Sequence, residues 1–121
     1  MKNRIIKFRA WDGEKKIMYD WNWVEISSAG IRVFDPEEGL VINDEDGNSL
    51  IALQFTGLLD KNGKEIYDGD ILKFPNKPND PKFHTISCVR WVNNKARFNP
   101  HSVEKAEIIG NMFENSELLK N

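Results

Sequence analysis

Three aspartates near the middle of the chain, Asp60, Asp68 and Asp70, come nearest in type and spacing to a reactive group. Carboxylates gathered in one place can hold a hard divalent cation, and such a cation can activate water. A metal-dependent hydrolase or nuclease is therefore one reading of this segment. The same residues lie in Asp60-Lys61-Asn62-Gly63 and Asp68-Gly69-Asp70, where turn chemistry alone calls for aspartate, asparagine and glycine. Gly69 can take a positive φ at a strand entrance, and Asp70 can cap neighbouring backbone N–H groups. We adopt the turn reading. Asp44, Asp46 and Asn48 have the spacing of the first three ligands of an EF-hand. Ser49 stands where its glycine is required, however, and no glutamate follows at the right distance.

Softer ligands are few. His84, Cys88 and His101 are not spaced like any zinc motif, and Cys88, the single cysteine, alternates with Val89 as a small core residue would. It can form no internal disulfide, so nothing points to an oxidising compartment. The chain has no nucleophile elbow, P-loop or dinucleotide fingerprint. The sequence therefore predicts no catalytic residue, no metal site, no cofactor and a non-enzymatic protein.

Two further groups could bind rather than react. Tyr19, Trp21 and Trp23 alternate along one segment and would share a strand face, as a platform for bases or as a subunit contact. Large aromatics dominate cores and interfaces, so these three are the candidate oligomer face. The stretch Lys73–Lys105 carries seven Lys or Arg against Asp80 and Glu104. Within it Arg90, Trp91, Lys95, Arg97 and Phe98 form the candidate nucleic-acid surface. The whole chain argues against that use, since 17 basic and 19 acidic residues give a net charge of −2. Met1–Lys16 holds six basic residues, and Phe34–Leu50 holds six acidic residues with no basic one. Opposite charges of this kind pair within or between subunits.

The elements that would position these residues are short strands. Ile6, Phe8 and Ala10 alternate with Lys7 and Arg9, the period of two of a half-buried strand. Asp12-Gly13 then reads as a hairpin turn into a second strand, Ile17–Ile26, making a hairpin over 5–26. Short strands are predicted at Ile31–Phe34 and Leu40–Ile42, on either side of Asp35-Pro36-Glu37-Glu38-Gly39. Leu50–Phe55 follows, with Ile51, Leu53 and Phe55 on one face, and then Ile71–Phe74. His84–Val92 has both faces partly apolar and reads as a strand covered on both sides. Asn93-Asn94-Lys95 reads as a tight turn. Val103–Phe113 fits either a helical stripe or a strand ending in a bulge, and Asn115 can cap a last short helix over 116–120. Repeated short strands with turns between them predict a sandwich or a small barrel. No apolar run reaches the roughly 20 residues that span a bilayer. The basic N-terminus lacks the apolar core of a secretory signal, so cytoplasm and no membrane partner are expected.

Three stretches stand out: Lys7-Phe8-Arg9-Ala10-Trp11-Asp12 with Met18, the run from Gln54-Phe55-Thr56-Gly57-Leu58 through Asp60 to Ile71, and Ile108–Asn115 with Glu117-Leu118-Leu119. Together they resemble the YopX-like proteins of bacteriophages and prophages. Ser116 departs from the proline common there, and Ser27–Ser49 carries no nameable motif. The resemblance implies a mainly β protein. Residues 1–50 would form an N-terminal β subdomain that assists self-association. Residues 51–121 would form a small barrel of the Src-homology-3 type with a short C-terminal helix. It brings no activity and no catalytic residues. The resulting expectation is a phage accessory module that self-associates and presents its barrel to a host or phage protein, with nucleic-acid binding as the alternative.

Overall fold

A computed structural model of the chain describes residues 6–28, 30–44, 49–75, 84–92, 95–96 and 103–119, with the backbone alone at 41, 43, 91, 92, 95 and 96. The protein is mainly β, built from short strands whose turns are held by side chains. β1 (Phe8–Asp12) and β2 (Ile17–Tyr19) form an antiparallel hairpin with Ala10 opposite Tyr19 and Asp12 opposite Ile17. Asp12 closes it: its Oδ1 accepts the N–H groups of Glu14 at 2.9 Å and Lys15 at 3.1 Å. Ile6 lies ahead of β1 and is 63% exposed, so the expected inward row begins only at half-buried Phe8 and buried Ala10.

The expected strand Ile17–Ile26 is cut in two. A 3-10 turn at Trp21–Trp23 separates β2 from β3 (Val24–Ser27). The Trp23 N–H donates to the Asp20 carbonyl at 3.0 Å, and the turn brings the Trp23 ring to 6.2 Å from that of Tyr19. Alternation of residue types could not reveal this break, because a 3-10 turn also tolerates bulky aromatics. β3 then pairs with β4 (Gly30–Asp35), and β4 with β5 (Gly39–Asp44), placing Val24, Val33 and Ile42 side by side. Asp35 Oδ1 accepts the Glu37 and Glu38 N–H groups at 2.7 and 3.0 Å in the intervening turn. At the end of β5, buried Asp44 accepts from Ser49 and Leu50. Tyr19, Val33 and Leu50 form the buried centre here, flanked by Trp23, Val24, Ile31 and Ile42.

β6 (Leu50–Leu59) is the longest strand. Its first half lies antiparallel to β1, with Phe8 opposite Gln54 and Asp12 opposite Leu50. Leu53 and Phe55 are buried as expected, whereas Ile51 is 49% exposed. The division into two compact units falls inside this strand, between Gln54 and Phe55. Its second half pairs with β7 (Glu65–Tyr67), and the register slips between Phe55 and Leu59. The Thr56-Gly57 pair makes that slip: Gly57 has φ of +87°, while the Thr56 hydroxyl donates to the Ile66 carbonyl at 2.8 Å and accepts from the Leu58 N–H. A bulge of this kind bends a strand, as a small barrel requires.

β8 (Asp70–Pro75) is central in the second unit, between β9 (His84–Cys88) and β12 (Glu107–Asn111). The expected strand His84–Val92 ends at Cys88, and His84, Thr85 and Ile86 are exposed, so this strand is not covered on both faces. Val89 is fully buried, with its N–H and C=O bonded to Asp70 and Gly69. A two-residue ribbon follows, β10 (Trp91–Val92) against β11 (Lys95–Ala96); the expected turn at 93–94 lies outside the described residues. The ambiguous segment 103–113 is a 3-10 turn at Val103–Lys105 followed by β12, with its register shifted between Ile108 and Gly110. The short C-terminal helix is a single 3-10 turn at Ser116–Leu119. Ile66, Leu72, Val89, Val103 and Ala106 make the core, with Leu58, Phe74 and Ile108 against it.

Two glycines share a left-handed backbone but differ in surroundings. Gly39 has φ of +84° and open space where a Cβ would sit. Gly69 has φ of +91°, and an added Cβ would lie 2.9 Å from Phe113 Cε2. Gly39→Ala is therefore expected to cost about 1 kcal/mol from backbone strain alone. Gly69→Ala should cost about 2 kcal/mol or more, because Phe113 must also move. Urea unfolding of the two variants beside the unaltered chain measures the difference, and equal losses would contradict the packing described around Gly69.

Candidate functional site

The structure does not gather the three central aspartates into one group. Among the described residues, no group of three or more His, Cys, Asp or Glu side chains is placed to hold a metal ion. Each carboxylate has a separate structural task. Asp60 is 5% exposed and accepts three backbone N–H groups: Asn62 at 2.8 Å and Lys64 at 2.9 Å on Oδ1, and Ile108 at 3.0 Å on Oδ2. It thus shapes its own turn and ties that turn to β12, where the Lys61 N–H also reaches the Ala106 carbonyl. Asp70, 1% exposed, accepts the Tyr67 N–H at 2.8 Å and closes the turn between β7 and β8. Asp68 faces Arg90, with Oδ1 at 3.4 Å from the guanidinium Nε. Of the residues with EF-hand spacing, Asp44 is spent on Ser49 and Leu50, and 46 and 48 lie outside the described residues.

The turn at 68–70 is a meeting point for the second unit. The Gly69 N–H donates to Val89, and the Gly69 carbonyl accepts the Met112 N–H, both at 2.8 Å. Across from Asp70 in the ladder stands Asn111, whose Oδ1 accepts from Phe113 and Glu114. Asn115 Oδ1 in turn accepts the Asn111 N–H, beside a Gly110 that has no room for a Cβ. Cys88 sits at the edge of this knot, half-buried rather than in the core, its thiol 3.8 Å from the Gly69 carbonyl. Burial pushes that thiol up; Arg90 opposes the shift while Asp68 and Asp70 add to it. Such a group is held as the poorly reactive thiol. His84 lies four residues away along the same strand, and His101 lies outside the described residues.

Of the candidate nucleic-acid surface, Arg90 is the one side chain described, and it is already engaged. Besides Asp68 it reaches Met112, with Nη1 2.7 Å from Sδ. Trp91 lies in β10 and Lys95 in β11, with only their backbones described; Arg97 and Phe98 lie outside the described residues. The basic stretch is thus not assembled into a described surface.

The three aromatics of the candidate oligomer face do not share one strand face. Tyr19 closes β2 and is buried, its hydroxyl pushed up by burial and then by the Asp12 charge. Trp21 lies in the 3-10 turn, 37% exposed, with its ring 6.4 Å from Phe8. Trp23 is half-buried against Tyr19. What the structure does assemble is a shallow hollow of about 270 Å³ lined by Ile17, Met18, Tyr19, Asp20 and Trp23. Asp20 is exposed, and its side chain makes no capping bond to the turn it precedes. By alternation alone Asp20 is the polar side of an unbroken strand, which hides its place at the turn. The signal was an aspartate followed directly by Trp-Asn-Trp, a sequence suited to turn entry.

The described residues contain no helix long and apolar enough to cross a membrane. No curated protein matches the chain. Among solved structures, protein EF1440 from Enterococcus faecalis is similar at a TM-score of 0.72 and 25% identity, over 98% of this chain and 100% of that one. Protein yopX from Bacillus subtilis shares the fold at a TM-score of 0.63 and 23% identity, over 94% and 98% of the two chains. The family model described as YopX protein matches residues 7–120, nearly the entire sequence. The chain therefore belongs to the YopX family.

Proposed function

We propose that this protein is a non-enzymatic accessory module of a phage or prophage, working in the cytoplasm of its bacterial host. Copies associate through the N-terminal β unit and present the C-terminal barrel to a host or phage protein. The observation that carries this reading is the distribution of exposed apolar side chains. Among the described residues, Ile6, Ile17, Trp21, Ile26, Leu40 and Ile51 are large, apolar and exposed in the first unit, against Leu59, Ile86 and Leu119 in the second. Apolar surface of this kind marks association when it is contiguous. The residues best suited to chemistry support the same reading, since Asp60, Asp70 and Arg90 are occupied in holding turns. The pairing of Arg90 with Asp68 also favours a structural role for that residue.

Light scattering coupled to size exclusion is expected to give the mass of two or more chains. A strict monomer across the accessible concentration range would contradict the self-association. Mobility-shift assays at low salt should show no retardation of single- or double-stranded DNA or RNA. Binding that weakens steeply with salt and falls on Arg90→Ala would instead establish a phosphate-contacting surface.

A further inference from the structure

We propose that the hollow at the end of β2 receives one arginine side chain of a partner protein, its guanidinium held by the Asp20 carboxylate and the rings of Tyr19 and Trp23. The inference does not rest on the self-association proposed above; it adds a recognition site that the barrel does not contain. Sequence and turn geometry build this site together. Tyr19 ends β2, and the 3-10 turn folds Trp23 back until its ring lies 6.2 Å from that of Tyr19, 29° from parallel. Asp20 stands between the two in sequence. Its backbone carbonyl takes the Trp23 N–H at 3.0 Å, so the turn makes no use of the side chain. Among the described residues nothing pairs with the Asp20 carboxylate, which is exposed and lines the hollow. Ile17 and Met18 complete the lining with apolar surface.

Size and chemistry select the occupant. At about 270 Å³ the shallow hollow is smaller than the roughly 300–1,000 Å³ of sites that enclose a whole small molecule. It suits a single side chain delivered by a larger partner. A carboxylate beside two aromatic rings repels an anion and attracts a cation. The apolar lining calls for a cation carried on an aliphatic stem, which lysine and arginine both have. Arginine fits better, because its planar guanidinium can stack on an indole while forking onto a carboxylate. It also sheds water more readily than an ammonium does. The chain's own Lys16 is held in the turn ahead of β2, with φ of +60°, and does not line the hollow.

Titration with the tripeptide Gly-Arg-Gly, blocked at both ends and followed by NMR of the aromatic side chains, tests this. Controls carry lysine, or citrulline as the neutral isostere, in place of the arginine. The arginine peptide should move the Tyr19 and Trp23 ring signals saturably. The citrulline peptide should bind about tenfold more weakly, as should the arginine peptide on Asp20→Asn, since either change removes one charge of a charge-assisted pair. The lysine peptide should fall between them. Asp20 is exposed and caps nothing, so Asp20→Asn is expected to fold normally, which circular dichroism checks. If it does not fold, the citrulline comparison on the unaltered chain decides alone. Citrulline binding as tightly as arginine, a folded Asp20→Asn that binds unchanged, or ring signals that stay still overturns the site. Free arginine binding more tightly than the peptide would overturn the protein partner in favour of a small molecule. A sedimentation mass that falls as peptide is added would instead make the occupant an arginine of a second copy. Self-association is read separately from the mass of the unaltered chain, so either reading can fail without the other.

Discussion

The fold depends on one recurring interaction, an aspartate carboxylate accepting the backbone N–H groups of a tight turn. Strands mostly of three to six residues bring a turn every few residues, and a turn leaves N–H groups that no ladder can use. Asp12, Asp35, Asp44, Asp60 and Asp70 each take up such groups, and Asn111 does the same before the last 3-10 turn. Most of these carboxylates are nearly sealed from solvent. A buried donor left without a partner costs about 1–3 kcal/mol, so a few such turns weigh heavily against the 5–15 kcal/mol that holds a domain together. Asp60 matters most because its two oxygens serve two elements far apart in sequence, its own turn and Ile108 on β12.

This use of carboxylates also explains why Asp60, Asp68 and Asp70 do not gather into one group. An aspartate whose oxygens face the N–H groups of its own turn is held to that turn, and Asp60 and Asp70 are held to different ones. Arg90 is similarly engaged by Asp68 and Met112 at the turn where Gly69, Val89 and Met112 converge. The first unit differs. There Asp20 precedes its turn without capping it and faces outward beside apolar side chains. Aspartates that cap turns and one that does not are thus alike in sequence, and only geometry separates them.

Much of the fold was legible in the sequence because turn chemistry is local. Asp12-Gly13, Asp60–Gly63 and Asp68-Gly69-Asp70 announce their turns through residue type, and the hairpins they close follow. The mainly β character followed from alternation at Phe8–Ala10 and Leu53–Phe55. Three features were not legible. The break at Asp20 was hidden because Tyr19, Trp21 and Trp23 keep a period of two through a turn that folds Trp23 back on Tyr19. The slip at Thr56-Gly57 depends on a hydroxyl reaching Ile66, ten residues on. Segment 103–113 fitted two periods, and the choice was made by Asp60 from 48 residues away, through its bond to the Ile108 N–H. Long-range capping of this kind leaves no periodic trace.

The most direct test of this account is the titration of the Asp60 carboxyl, followed by carbon-13 NMR. Burial alone would raise its pKa, but the N–H donors of Ile108, Lys64 and Asn62, with the Lys64 charge, outweigh burial and hold it below the ordinary range. A folded-state pKa below the unfolded value of about 4 means that Asp60 stabilises the fold above that pH. The contribution is lost as pH falls through the lower, folded value. The account predicts a midpoint clearly below about 4 that added magnesium or manganese leaves unmoved. A midpoint at or above the ordinary aspartate value, or one displaced by those cations, would contradict it.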